Sequence, residues 1–316
     1  MTKPQNRFLQ YFSKPLFFRK RNASAPQSSH KGMQSGNHRH AGGVFQKPMR
    51  TITRLGLRIE KRIRFVISML VMASLVLLST SAVFSFDARY LFIPLFVLSA
   101  YICTYFALLE DIEKIEWLTL FTMPIFFTLA MYMFYFLIPV RWLTRLPFLA
   151  IYCVSMYALF SISNIFNVGV GKSLRLYKAA FSVNVLFQTL VTFLLFSVIL
   201  SYRADFYINA IVVFVTAFLL VFQMLWSVRL DLDQYNREIL RYSAVIAVLM
   251  GEIAAVVSFV PLRSSVGAMF LAACYYSIVG LASAYIDNRL FKSVVREYLI
   301  ALVVVGIVSF LTVSGW

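Results

Sequence analysis

One carboxylic acid lies inside a long apolar run. Residues 244–260 read as a membrane-spanning helix interrupted by a single acid, Glu252. A charge deep in a bilayer costs a few kcal/mol, so an ionisable residue there marks a functional candidate. Glu252 lies eleven residues beyond Arg241, roughly 16 Å along a helix rising 1.5 Å per residue. Gln188, ten residues after Lys178, and Tyr275 and Tyr276, about ten after Ser265, fall at a similar depth on other spans. Equal depth permits a hydrogen-bonded cluster of Glu252, Gln188 and a tyrosine hydroxyl. Two readings follow: a proton- or ligand-responsive site in a water-accessible cavity, or a neutral inter-helix hydrogen bond worth about 0.6–2 kcal/mol.

A second polar group closes the fourth apolar run. Asn164 and Asn167 are three apart on one helix face, and Asn184 lies early in the following run. These amides are expected to pair the two helices. The adjoining Gly169-Val-Gly-Lys-Ser173 lacks the first glycine of a phosphate loop and follows a helix instead of a strand, so nucleotide binding is not expected. The acids between Glu110 and Glu116 have no metal-binding spacing and read as a solvated loop. All three histidines, His30, His38 and His40, precede the first apolar run, which excludes a Ser–His mechanism in the remainder. Cys103, Cys153 and Cys274 lie singly in apolar runs and read as small packing residues. No catalytic residue, metal or cofactor is expected.

The elements that must position these residues follow from composition. Of 316 residues, 60% are hydrophobic and 14% charged, against about 25% charged in soluble domains. Most of the chain is therefore expected to have lipid as its solvent. Nine apolar runs can be counted, near 63–86, 90–109, 115–138, 146–167, 179–200, 206–226, 240–260, 266–286 and 298–313. The ninth is short. The predicted fold is all-α, a polytopic membrane bundle of about nine transmembrane helices over residues 65–316. Pro124 is expected to kink the third helix. Residues 229–241 and 287–298 read as a structured cytoplasmic rim. No connection between runs has room for a soluble catalytic domain.

Charge is concentrated at the front. Residues 1–62 carry fourteen of the thirty Lys and Arg and one acid, Glu60. Residues 1–48 read as a disordered basic cytoplasmic tail. Residues 49–64 read as a basic amphipathic juxtamembrane helix, with Arg50, Arg54, Arg58 and Arg62 recurring every four residues and Lys61 beside them. These cations are expected to contact anionic lipid headgroups of the bilayer, at roughly 1 kcal/mol per cation. Nucleic acid is the less favoured partner for such a tail. Alternate connections beginning with the second carry ten Lys and Arg against five in the others. By the positive-inside rule this places the N-terminus in the cytoplasm and Trp316 outside the cell membrane.

Several strings are familiar together: Pro139-Val-Arg-Trp-Leu-Thr-Arg-Leu-Pro147, Asn164-Ile-Phe-Asn167, Leu225-Trp-Ser-Val228, Arg289-Leu-Phe-Lys292 and Val295-Arg-Glu-Tyr298. Through them the chain resembles a family of uncharacterised bacterial multi-pass membrane proteins over residues 65–313. The resemblance implies the architecture and no activity. The expected role is a non-enzymatic membrane component that scaffolds or assists assembly with a membrane-protein partner. The alternatives are a transporter or channel using the level of Glu252, and an enzyme acting on a lipid-linked substrate.

Overall fold

The computed structural model describes residues 59–80, 88–109, 117–138, 142–168, 174–228 and 237–313. The expected tail, with Arg50, Arg54 and Arg58, lies outside them, as do Gly169–Ser173 and Glu110–Glu116. The described residues form nine helices: α1 Lys61–Ser79, α2 Ala88–Ala107, α3 Trp117–Tyr135, α4 Trp142–Val168, α5 Leu174–Ser201, α6 Phe206–Val228, α7 Arg237–Phe259, α8 Ser264–Ile286 and α9 Lys292–Val313. Seven are long and apolar enough to cross a membrane; α2 and α3 carry the shorter apolar stretches Leu91–Ala107 and Thr119–Tyr135.

Two boundaries differ from the sequence reading. The backbone leaves helical geometry at Glu60, with φ −57° and ψ 141°, and α1 starts at Lys61. Lys61, Arg62 and Arg64 are therefore in the first turn of α1 and do not end a separate surface helix. At the other end of the chain, α9 begins at Lys292, six residues before the expected run. The charged residues Arg296 and Glu297 do not interrupt it, because charged side chains cost a helix little backbone propensity. The ninth helix is thus 22 residues long instead of short.

α5 and α6 lie at the centre. α5 packs against α3, α4, α6 and α8, while α6 forms its most extensive contact with α7. α9 packs on α8, and almost none of its apolar length is buried. The interior is filled by large side chains that are fully buried, among them Trp226, Tyr132, Tyr152, Phe127, Phe160 and Phe196. Ring pairs such as Phe127–Tyr152, stacked at 5.8 Å, hold α3 to α4.

Backbone groups that a helix leaves unpaired are met by neighbouring helices. Pro124 has no N–H, so the carbonyl of Leu120 loses its helical donor. Ser163 Oγ of α4 donates to that carbonyl at 3.3 Å. At the end of α1, Arg145 Nη2 donates to the Leu77 carbonyl at 2.6 Å and to Thr80 Oγ1 at 3.1 Å. A cation at a helix C-terminus also meets the negative end of the helix dipole.

Candidate functional site

Polar side chains of the described helices lie both inside the bundle and on its surface, and the two groups differ. The inner set sits on the α5–α6 seam. Gln188 is buried, and its Nε2 donates to the Leu220 carbonyl at 2.5 Å and to Gln223 Oε1 at 3.1 Å. One turn further, Thr192 Oγ1 donates back to the Gln188 carbonyl at 2.7 Å. One turn earlier, Asn184 is buried with its Nδ2 3.7 Å from Met224 Sδ. At the end of the seam, the Tyr177 hydroxyl donates to the Ser227 carbonyl. Together these contacts latch α5 to the C-terminal half of α6.

Glu252 stands apart from this set. It is on α7, seven residues before Phe259, roughly 10 Å from that end of the helix. Its side chain is exposed on the outer face. The rotation of α7 explains why. Gly251 lies against α6 so closely that a Cβ there would be 3.2 Å from the Ala210 carbonyl oxygen and 3.3 Å from Phe214 Cβ. Asn209 Nδ2 donates to Ser258 Oγ at 3.1 Å across the same contact. With Gly251 held inward, the next residue is turned about 100° around the helix axis. Met250, Ala254 and Val257 are buried, whereas Val245, Val248, Leu249, Glu252, Val256 and Phe259 form an outer stripe.

The expected cluster is therefore not assembled. Gln188 finds its partner on α6, and Glu252 faces away from both. Tyr275 is buried and faces Thr192 of α5, one turn from Gln188. Its hydroxyl makes no hydrogen bond of accepted geometry among the described residues. Tyr276 is rotated to the other side of α8 and packs on Tyr298 of α9, ring centroids 5.2 Å apart. Adjacent residues on a helix cannot share a face, so the two tyrosines serve different contacts.

The asparagine pairing is also replaced. Asn164 and Asn167 are half-buried on α4. Asn184 points toward Met224 of α6, and its Oδ1 accepts no hydrogen bond among the described residues, so neither α4 amide reaches it. Lys61 is half-buried and Arg62 exposed at the start of α1.

Arg64 and Gln223 are among the buried polar residues that were not anticipated. Arg64 is fully buried, because it falls off the four-residue arginine stripe onto the inward side of α1. Gln223 is the partner of Gln188. It lies five residues from the end of α6, while Gln188 lies fourteen from the start of α5. Counting from helix ends hides their common level, since α5 has 28 residues and α6 has 23.

Beside α7 there is an apolar groove of about 420 Å³ between Tyr242 and Ile246 of α7, Ile278 and Tyr285 of α8, and Val295 of α9. No group of His, Cys, Asp and Glu able to hold a metal ion occurs among the described residues.

The fold and this distribution of polar groups define an all-helical protein whose apolar helices are compatible with a multi-pass membrane protein. The chain belongs to the family described as protein of unknown function DUF5656, which it matches over residues 110–312. That match takes in α3 to α9 and leaves α1 and α2 outside it. No curated protein and no solved structure matches the chain.

Proposed function

We propose that the chain is a non-enzymatic, multi-pass component of the cell membrane that assembles sideways with another membrane helix. Its N-terminus is cytoplasmic and Trp316 extracytoplasmic, on the charge asymmetry of the connections. The basic tail contacts anionic headgroups. The observation that carries the assembly reading is the position of Glu252 on the outer stripe of α7. Among the described residues that carboxyl has no hydrogen-bonding neighbour, and in lipid another helix can supply one. Such a group is costly in hydrocarbon, and the cost is relieved by inter-helix hydrogen bonding. A glutamate side chain is too short to carry its carboxyl the roughly 10 Å to the end of the span. A transport role at this level needs Glu252 to face a shared interior cavity, and it faces outward.

The test is a photo-crosslinking amino acid placed at Leu249 or Val256 in native membranes. A discrete protein adduct is expected at both positions and is lost in Glu252→Leu. An adduct of equal yield at the core position Ala254, or none at either outer position, contradicts the reading. A reporter fused after Trp316 tests the orientation: activity only in the cytoplasm reverses it.

A further inference from the structure

The outer stripe of α7 has a second regularity. Glu238, Val245, Glu252 and Phe259 recur every seven residues, and all four are exposed. Between them Arg241 and Val248 are exposed and Ala255 is half-buried, again seven apart. This is the a and d pattern of a left-handed helix pair, with period 3.5. Its apolar part, from Val245 to Phe259, runs for two heptads, roughly 21 Å at 1.5 Å per residue, and fits within a hydrocarbon core about 30 Å thick. α9 offers an even more exposed apolar surface, including Val304 and Ile307. That surface contains no acid or amide between Tyr298 and Val313, so lipid alone satisfies it.

We propose that the partner of α7 is a second copy of the chain, joined in a parallel α7–α7 seam with Glu252 against Glu252. The proposal rests on the lateral-assembly reading and names its partner. Every copy inserts with one orientation, so a two-fold dimer has its axis along the membrane normal and the interface is isologous. On that axis each a-position residue meets itself at the same depth. A carboxyl that carries its proton is both donor and acceptor, so two protonated glutamates facing each other satisfy one another with two hydrogen bonds, whereas two carboxylates would repel. A foreign partner would instead have to bring its own polar group to the same depth. The copy brings the complementary group by construction. Valine at the a position 245 suits the seam, since β-branched residues at a favour two-stranded pairing.

The experiment uses the full chain in vesicles of phosphatidylcholine and phosphatidylglycerol. Single cysteines are introduced along α7 after Cys103, Cys153 and Cys274 are replaced by alanine. Oxidative cross-linking is expected at Val245→Cys, Val248→Cys, Glu252→Cys and Ala255→Cys, and not at Ile253→Cys or, on α9, Val304→Cys. In parallel, single-molecule photobleaching counts copies as the protein is diluted in lipid. Glu252→Leu is expected to weaken association about tenfold, near the upper end for an intramembrane hydrogen bond. Glu252→Gln, which keeps a donor and an acceptor, stays within about threefold of the unaltered chain by the same measure.

Cross-linking with no seven-residue recurrence, or equal dimer fractions in the unaltered chain and Glu252→Leu, overturns the second copy. If two copies never cross-link while a photo-crosslinker at Leu249 captures a different protein in native membranes, this proposal fails and the lateral-assembly reading stands. If α7 captures neither, both fail.

Discussion

The α5–α6 seam and the outer face of α7 each carry a strongly polar residue on an otherwise apolar helix, and they treat it in opposite ways. Gln188 is buried and saturated by Leu220 and Gln223. Glu252 is exposed and turned from every inner neighbour by the Gly251 contact. A polar group satisfied within its own chain holds the fold. One left on an outer face does nothing for the fold and leaves a demand that another molecule can meet. The two regions are thus separable by mutation: changes at the seam should alter stability, and changes on the face should alter association.

The largest effect is expected at the seam. Gln188→Leu leaves the Gln223 amide buried without its partner, at a cost of about 1–3 kcal/mol. The measurement is reversible unfolding of the purified protein in mixed detergent. The double variant Gln188→Leu/Gln223→Leu should recover most of the loss, because removing both partners leaves nothing unsatisfied. A double variant no more stable than the single one would mean that the seam is held by shape and not by the amides.

The contact that separates the regions comes next. Gly251→Ala adds a Cβ beside a backbone oxygen and Phe214 Cβ, so α6 and α7 must part by a few tenths of an ångström. Overpacking of this kind costs about 1 kcal/mol or more. It should also turn α7 and blur the seven-residue recurrence of cross-links along it. A fully sharp recurrence in Gly251→Ala would show that another contact, such as Asn209–Ser258, sets the rotation.

A smaller effect is expected where the seam logic recurs on α3. Ser163→Ala removes the hydroxyl that donates to the Leu120 carbonyl freed by Pro124. A loss of about 0.6 kcal/mol is expected, the average for a hydrogen bond between membrane helices. Pro124→Ala restores the N–H and should make Ser163→Ala nearly silent. If the two losses simply add, the serine is not serving the proline.

Which of these features could be read from the sequence follows one physical rule. Position along a helix is legible, because an apolar run must begin and end: the helices containing Gln188, Glu252 and Tyr275 were expected where they lie. Rotation about the helix axis is not legible when core and surroundings are both apolar. Nothing in Tyr275-Tyr276 says which ring enters the core, and nothing around Glu252 except Gly251 says that it faces out. Glycine beside the acid was a usable sign, since close helix approach needs small residues. Arg64 was passed over for the same reason: the regular spacing of Arg50, Arg54, Arg58 and Arg62 skips it, and nothing beside it says that it turns inward. The family match carries no role, so function has to be argued from the sites.

The smallest expected effect on the fold is the most discriminating. Glu252→Leu replaces an exposed carboxyl by an exposed apolar side chain among Val248, Leu249 and Val256. It breaks no hydrogen bond within the described residues and opens no cavity. In detergent dilute enough to keep single copies, unfolding should therefore shift by no more than about 0.5 kcal/mol, the usual range for surface changes. A loss as large as that of Gln188→Leu would place the carboxyl inside the fold and end the contrast between the two regions. Unchanged unfolding together with the weakened association in lipid would separate the two cleanly: the amide seam holds one chain together, and the acid on α7 holds chains to each other.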